Sequence, residues 1–281
     1  SHFMLFKNGI FINYKRKKMK KLLLITFSLI LSLISLNNVH AQIVNKNDVF
    51  FVGEKFVLDA YFNLGLLWFK VGTAEFKVET ENDNYKFVVT AKSLPKWDWL
   101  YSVNTLHVAS CTKDMKPLYM WSKVHENGEY SEDSYTFEDK GGYNSIHRVK
   151  KSNKIPGGVL DTVFNMQYEA HDIINSVYVA RNADLTFNGG KKIPFYPIFG
   201  NKIFTIYGDV LGEETVKNKE GEKYDCLKCV AHIGGGTIAD KDVPIYVYVT
   251  KKEKVPVLVE AKLSFGSVRV YLKELKVEGN K

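Results

Sequence analysis

The sequence predicts an all-β fold, mainly antiparallel, arranged as a curved meander sheet or an open β-barrel-like fold with one or two covering helices. Two observations predict it. Apolar and polar residues alternate over short stretches, as in Ala74-Glu75-Phe76-Lys77-Val78-Glu79, which is the period of a strand with one buried face. Short turn sequences such as Asn82-Asp83-Asn84 and Asn127-Gly128 separate these stretches, and turns spaced so closely join antiparallel neighbours.

The predicted strands run from the first quarter of the chain almost to its end. In chain order they cover residues 56–61, 68–79, 85–90, 118–126, 130–137, 143–150, 203–210, 224–233, 243–250, 255–263 and 267–275. Polar or glycine-containing turns lie between many of them, as at residues 139–142 and 218–221. Because the connections are short, each strand is expected to pair with its neighbour in sequence.

One segment, residues 172–181, follows a helical period instead. Its apolar residues recur at spacings that place them on one face of a helix: Ile173, Ile174, Val177 and Tyr178. Asp172 stands at the position of an N-cap and Arg181 in the last turn, where each suits the local charge of a helix. The sequence therefore predicts a helix here, and a second short helix over residues 96–102.

The N-terminal segment is typical of a secretory signal peptide. Met19-Lys20-Lys21 precedes fifteen uncharged residues at 22–36, and the segment ends in Val39-His40-Ala41. Fifteen helical residues span about 22 Å, less than the roughly 30 Å of a bilayer core, so a retained anchor is the less favoured alternative. We expect a signal peptide over 19–41 with cleavage after Ala41. Residues 1–18 are interpreted as a vector-derived remnant followed by translated upstream codons.

The remaining residues, 42–281, are predicted to form a single antiparallel β domain of nearly neutral charge. The chain has 39 basic and 31 acidic residues, and seven of the basic ones and no acid precede residue 42, which leaves 32 against 31. A neutral body lacks the basic footprint of a nucleic-acid-binding protein. We therefore expect a periplasmic protein without a nucleic-acid partner, with peripheral attachment to the outer membrane left open.

The three cysteines offer little chemistry. Cys226-Leu227-Lys228-Cys229 is a C-x-x-C sequence, but it lies inside a predicted strand, where residues three apart face opposite sides at about 10 Å. A disulfide needs its Cα atoms within about 7 Å, and zinc would need two further ligands. Packed thiols are favoured, while a disulfide from Cys111 to Cys226 or Cys229 stays open.

No other catalytic pattern stands out. The histidines are scattered without metal-ligand spacing and are interpreted as surface or strand-face residues, and the G-x-S-x-G nucleophile elbow is absent from the sequence. Neighbouring acids such as Glu213 and Glu214 face opposite sides of a strand, whereas a glycosidase needs two carboxyls across a cleft. The sequence thus favours a protein that is not an enzyme and needs no cofactor or metal.

Aromatic residues are the remaining candidates for a binding site. Six of them concentrate near predicted turns: Trp68, Trp97, Trp99, Phe195, Tyr196 and Phe199. Their ordinary role is to fill a β core, but they would also line a β-barrel-like cavity for a hydrophobic, lipid-like ligand. Two alternatives stay open. The loops at 97–99 and 195–199 would form the exposed patch of a structural or interaction module in an outer-membrane assembly, or the protein would be a polysaccharide hydrolase.

Three stretches are similar to one bacterial family. Gly53-Glu54, with residues 56–58 and 72–74, is similar to its opening, residues 172–181 to its central helix, which ends in arginine, and residues 221–272 to its closing stretch. The chain resembles the exported family of domain of unknown function 3108. The resemblance implies an envelope protein with an antiparallel, barrel-like fold, and it implies no established catalytic residues.

Overall fold

The computed structural model describes residues 46–64, 66–99, 101–166, 170–185, 193–234, 244–262 and 266–276. The predicted signal peptide, its cleavage site and the residues before it lie outside the described residues. None of the helices in the described ranges has the length and apolarity needed to cross a bilayer.

Within these ranges the chain forms seventeen strands and one α-helix. The strands are β1 (Lys55–Leu64), β2 (Leu67–Glu81), β3 (Asn84–Ser93), β4 (Val103–Cys111), β5 (Pro117–Glu126), β6 (Glu129–Asp139), β7 (Asn144–Ser152), β8 (Val159–Met166), β9 (His171–Asp172), β10 (Ile193–Phe195), β11 (Pro197–Phe199), β12 (Lys202–Ile203), β13 (Thr205–Lys217), β14 (Lys223–Gly234), β15 (Ile245–Thr250), β16 (Pro256–Lys262) and β17 (Ser267–Lys276). The helix, α1, covers Ile173–Asn182.

Fourteen strands form one antiparallel sheet, which confirms the predicted fold class. Their order is β10-β13-β14-β15-β16-β17-β1-β2-β3-β4-β5-β6-β7-β8, and the sheet is not closed into a barrel. Almost every strand pairs with its neighbour in sequence, as the short turns predict. The exception in the middle is the pair β1 and β17, where Ala60 lies opposite Val270 and the two termini of the fold meet. Strands β9, β11 and β12 form a separate small sheet.

The large sheet curls around α1. The ring of Tyr178 stacks on Phe87 of β3, with centroids 3.8 Å apart, and Ala180 packs against the buried pair formed by Ile206 of β13 and Ala231 of β14. In a flat sheet the seven spacings between β13 and β3 would separate them by roughly 34 Å, whereas a helix is only about 10 Å across. The sheet must therefore be strongly curved for both strands to contact the helix.

Irregular register supplies part of this curvature. The β1–β2 pairing shifts between Ala60 and Tyr61, and the β13–β14 pairing shifts at Val210; such bulges bend a strand and increase its twist. Opposite the first bulge, β2 and β3 approach so closely at Gly72 that a Cβ atom would lie 2.7 Å from the Lys92 carbonyl oxygen. Only glycine fits this position without a shift of the backbone.

The hairpin turns alternate between two ends of the curled sheet. Arg181 at the end of α1 contacts Glu54, just before β1, and the turn at Glu253, so α1 lies at the end that holds these segments, here called the helix end. The last pair of β1 and β2, residues 94–99 after β3, and the last pair of β16 and β17, Lys262 with Ser267, lie at the opposite end, here called the far end.

A buried ion pair holds the last turn of α1. Arg181 donates from Nη1 to Glu54 Oε1 at 2.6 Å and from Nη2 to Glu54 Oε2 at 2.8 Å, and both side chains are buried. The same Nη2 donates to the carbonyl oxygen of Glu253 at 2.8 Å. Three aromatic rings surround the guanidinium at 5.3–5.7 Å: Phe50, Phe56 and Tyr178. This one side chain thus joins the helix to two other segments of the chain.

Of the two predicted helices, the first is confirmed, and the second is found only as a single 3-10 turn at its start. Residues 172–181 form α1, and the Asp172 carboxylate accepts hydrogen bonds from the backbone N–H groups of Ile174 and Asn175, as an N-cap does. The described residues of 96–102 contain the 3-10 helix Pro95–Trp97, a turn at residues 98–99 and irregular chain at 101–102. The Trp97 indole donates to the Lys70 carbonyl oxygen at 2.8 Å and fastens this short connection to β2.

We predict that Arg181→Met lowers the free energy of unfolding by about 3–5 kcal/mol, because it leaves the Glu54 carboxylate buried without a partner. The double variant Glu54→Gln/Arg181→Met is expected to regain part of this loss. The matched control is Arg269→Met, which breaks the partly exposed pair of Arg269 and Glu260 and should change stability by less than about 1 kcal/mol. Urea unfolding followed by circular dichroism measures the free energy of unfolding of all three variants. Equal losses for Arg181→Met and Arg269→Met would contradict the prediction.

Candidate functional site

The far end carries a cluster of exposed apolar side chains. Leu66 is 97% exposed, Leu67 63% and Trp99 67%. Trp97 is half-buried and packs edge-on against Phe69 with ring centroids 5.4 Å apart. We call residues 66–69 together with Trp97 and Trp99 the apolar rim. Of the six aromatic residues that the sequence analysis singled out, three lie at this end of the sheet: Trp68, Trp97 and Trp99.

The tip of the β1–β2 hairpin positions one half of the rim. The last pair of this ladder is Leu64 with Leu67, so Leu66 lies in the turn beyond it. Trp68 and Phe69 follow on opposite faces of β2, because side chains alternate along a strand. Phe69 lies opposite the buried Phe62, whereas the Trp68 ring lies 4.7 Å from the Arg269 guanidinium in a cation–π contact. Trp68 is therefore held on the outer face.

The other three predicted residues lie apart from the rim. Phe195, in β10, is half-buried against Ile206 of β13. The carbonyl oxygen of Tyr196 accepts a hydrogen bond from the His171 N–H, and the exposed Phe199 of β11 contacts the ring of Phe204. The six predicted residues therefore divide between two surface regions, and each of the six is half-buried or exposed. Contact of these residues with a ligand stays a prediction.

A polar group on the inner face of the sheet was not recognised from the sequence as one cluster. His107 of β4 lies opposite Ser122 of β5, which lies opposite Asp133 of β6. Thr105 precedes His107 on the same face, and both are buried. Among the described residues, the two imidazole nitrogens and the Thr105 hydroxyl have no hydrogen-bond partner. Burial lowers the pKa of His107 to about 4, so the ring is neutral at physiological pH.

The neighbours of His107 are bonded elsewhere. The Ser122 hydroxyl donates to the carbonyl oxygen of Asp133 rather than to the imidazole. The Asp133 carboxylate accepts two hydrogen bonds from Arg148, at 2.9 and 2.6 Å, and Arg148 also donates to Asn201. Ser122 and His107 therefore do not form the nucleophile–base contact that acyl transfer requires.

The cysteines are three unpaired thiols. Cys226 and Cys229 lie within β14, as the strand prediction requires, and Cys111 ends β4. Burial raises the pKa of Cys226 and of Cys229 to about 11, so both are protonated at neutral pH and are weak nucleophiles. The described residues contain no group of three or more His, Cys, Asp or Glu side chains placed to hold a metal ion.

A second titratable group is buried at the start of α1. The Asp172 carboxyl is fully buried, and this burial raises its pKa to about 6 even though two backbone N–H groups of the helix donate to it. The hydrogen bonds stabilise the charged form and burial opposes it. Because both carboxylate oxygens are engaged by the first turn of α1 and by Asn175, the geometry indicates a helix cap.

A family model described as a protein of unknown function, DUF3108, matches residues 57–273. The chain belongs to this family. The resemblance seen in the sequence is therefore confirmed. In this DUF3108 protein two of the stretches that carry the resemblance meet in space, because Glu54 of the first pairs with Arg181 of the second.

Among solved structures, a β-barrel-like protein of the domain of unknown function DUF1849 from Brucella abortus is similar, with a TM-score of 0.56 and 10% identity, covering 82% of this chain and 100% of the other. At such low identity this shows a shared fold. A candidate lipoprotein from Parabacteroides distasonis aligns over 82% of this chain and 100% of its own, at a TM-score of 0.31 and 11% identity. No curated protein matches the DUF3108 chain.

We predict that His107 makes the folded protein sensitive to mild acid. Its pKa is about 4 when folded and near its ordinary value of 6.5 when unfolded, so its contribution to stability is present above pH 6.5 and is lost as the pH falls through 4. The full difference corresponds to about 3 kcal/mol. Relative to His107→Leu, the wild type should lose unfolding free energy between pH 7 and pH 4, measured by urea titration. A difference that stays constant with pH would contradict this.

Proposed function

We propose that the protein is an exported envelope protein that binds an apolar, lipid-like molecule or surface without catalysis, and that the apolar rim makes the contact. The observation that carries the proposal is the almost complete exposure of Leu66, together with the exposure of Leu67 and Trp99 at the same end of the sheet. Burial of one leucine side chain contributes roughly 1.5–3 kcal/mol. The leucine side chains of the rim stay in water after folding, so contact with an apolar partner would still gain this burial free energy.

The packing of the inner face supports contact at the surface rather than deep inside the sheet. Phe56 and Phe76 stack with ring centroids 4.6 Å apart, and Phe50 packs edge-on against both Phe87 and Tyr178. These rings belong to one continuous buried cluster. A lipid-like molecule in the interior at this level would have to displace them, whereas the rim accepts a partner without any change in the core.

Export is supported by the predicted signal peptide over residues 19–41, and the periplasm is the compartment that we propose. A role in an envelope assembly is the second candidate, and a separate observation favours it. Phe199 and Ile203 of the small sheet are both exposed large apolar residues outside the rim. A protein that presents two such surfaces is suited to join two partners.

The rim is tested with Nile red, an uncharged dye that fluoresces in apolar surroundings. We expect the wild type to enhance its fluorescence, and Leu66→Asp/Leu67→Asp to reduce the enhancement severalfold, because the charges remove the apolar surface. The control is Val159→Asp/Val163→Asp on β8. It adds the same charge at two exposed apolar positions, and Val163 and Leu67 have the same 63% exposure.

Circular dichroism and thermal unfolding establish that all variants are folded. Equal dye binding by the rim variant and the β8 variant would show that the rim is not the contact surface. Dye that stays bound in both variants and is displaced by a free fatty acid would instead favour a site inside the sheet.

A further inference from the structure

We infer that the occupant of the apolar rim is the surface of a lipid bilayer that carries anionic headgroups. The inference rests on the proposed function, which gives the rim an apolar partner, and it adds which partner this is. Two features of the rim support it, the shape of its tip and the charge around it.

The first feature is the protruding tip. Leu66 and Leu67 end the β1–β2 hairpin, and Leu66 lies beyond the last paired residues. A narrow tip is apolar on several sides at once, and lipid chains can surround it as a flat protein surface cannot. The Trp97 ring contacts Phe69, two residues along β2 from Leu67, and the exposed Trp99 follows Trp97 in the chain; tryptophan is enriched at the level of lipid headgroups.

The second feature is unpaired positive charge at the same end. Lys92, Lys96 and Lys262 are exposed there, and no carboxylate of the described residues lies within 4.0 Å of their ammonium groups. By contrast, Lys70 is paired with Asp59 and Arg269 with Glu260. Cations that have carboxylate partners add little attraction for a distant surface, whereas the three unpaired ones keep their full charge.

The position of these lysines fits a bilayer. Lys96 lies between the two tryptophans and the end of β3, 5.9 Å from the ring centroid of Trp97, and Lys92 precedes it on β3. Asp98 is the acid within this segment, and it accepts a hydrogen bond from the Ser93 hydroxyl at 2.5 Å. Lysine side chains next to a membrane are attracted by anionic headgroups. Apolar insertion and charge attraction thus act at one end of the molecule.

The test is co-flotation with vesicles of phosphatidylcholine mixed with phosphatidylglycerol, and with vesicles of pure phosphatidylcholine. The protein begins at Gln42, because the apolar residues 22–36 would bind vesicles by themselves and every described strand and helix lies after residue 46. We expect binding to the mixed vesicles that weakens with salt, and binding at least about tenfold weaker to the neutral ones.

Two variants separate the apolar and the electrostatic contributions to vesicle binding, and a third variant serves as the control. Leu66→Asp/Leu67→Asp should reduce binding to mixed vesicles about tenfold or more, and Lys92→Glu/Lys96→Glu should abolish the preference for the anionic lipid. The β8 control, Val159→Asp/Val163→Asp, should bind as the wild type does. These three results together support the inference.

Other outcomes overturn it. If the protein binds neither kind of vesicle while the Leu66→Asp/Leu67→Asp variant still reduces Nile red fluorescence, the rim contacts something other than a bilayer, and only the proposed function stands. If, in addition, the rim variant and the β8 control bind Nile red equally, the proposed function is contradicted as well. If the lysine variant loses binding but the leucine variant keeps it, the protein is adsorbed by charge alone and the rim does not insert.

Discussion

The buried pair of Glu54 and Arg181 is the interaction on which the arrangement of the fold depends. It joins residues 127 positions apart, and the same guanidinium reaches the carbonyl oxygen of Glu253. Two charges taken out of water are tolerated only when they are fully paired, so α1 can occupy the curled sheet in one orientation. The hydrogen bonds and the three surrounding rings then hold the start of β1, the end of α1 and the β15–β16 turn together at the helix end.

That arrangement also decides what the far end presents. Because α1 contacts both β3 and β13, the sheet is curled tightly around large aromatic side chains at the helix end. The far end has no comparable helix among the described residues, so the hairpin tips there keep their apolar residues in solvent. One end of the molecule is therefore built for stability, while Leu66, Leu67 and Trp99 at the other have no role in the core.

The parts of the fold that the sequence predicted, and those it missed, have a common explanation. Strands such as β2 alternate clearly between polar and buried apolar residues and were found. Strand β4 was missed because its inner face carries Thr105 and His107, which hide the alternation. Strand β8 was missed because Val159, Leu160 and Val163 are exposed on an edge strand, so apolar residues occur on both of its faces. The helix was found, cap included, since local contacts build it.

By itself the sequence determined the all-β class, the order of most strands, α1 with its Asp172 cap and the aromatic composition of the candidate site, because all of these depend on residues close together in the chain. Only the tertiary structure decided that Glu54 meets Arg181 and that His107 is buried with no hydrogen-bond partner among the described residues. It also decided that Trp97 packs against Phe69 at the far end while Phe195 and Phe199 lie elsewhere. A strand pattern shows which residues share a face. Whether that face is covered depends on segments far away in sequence.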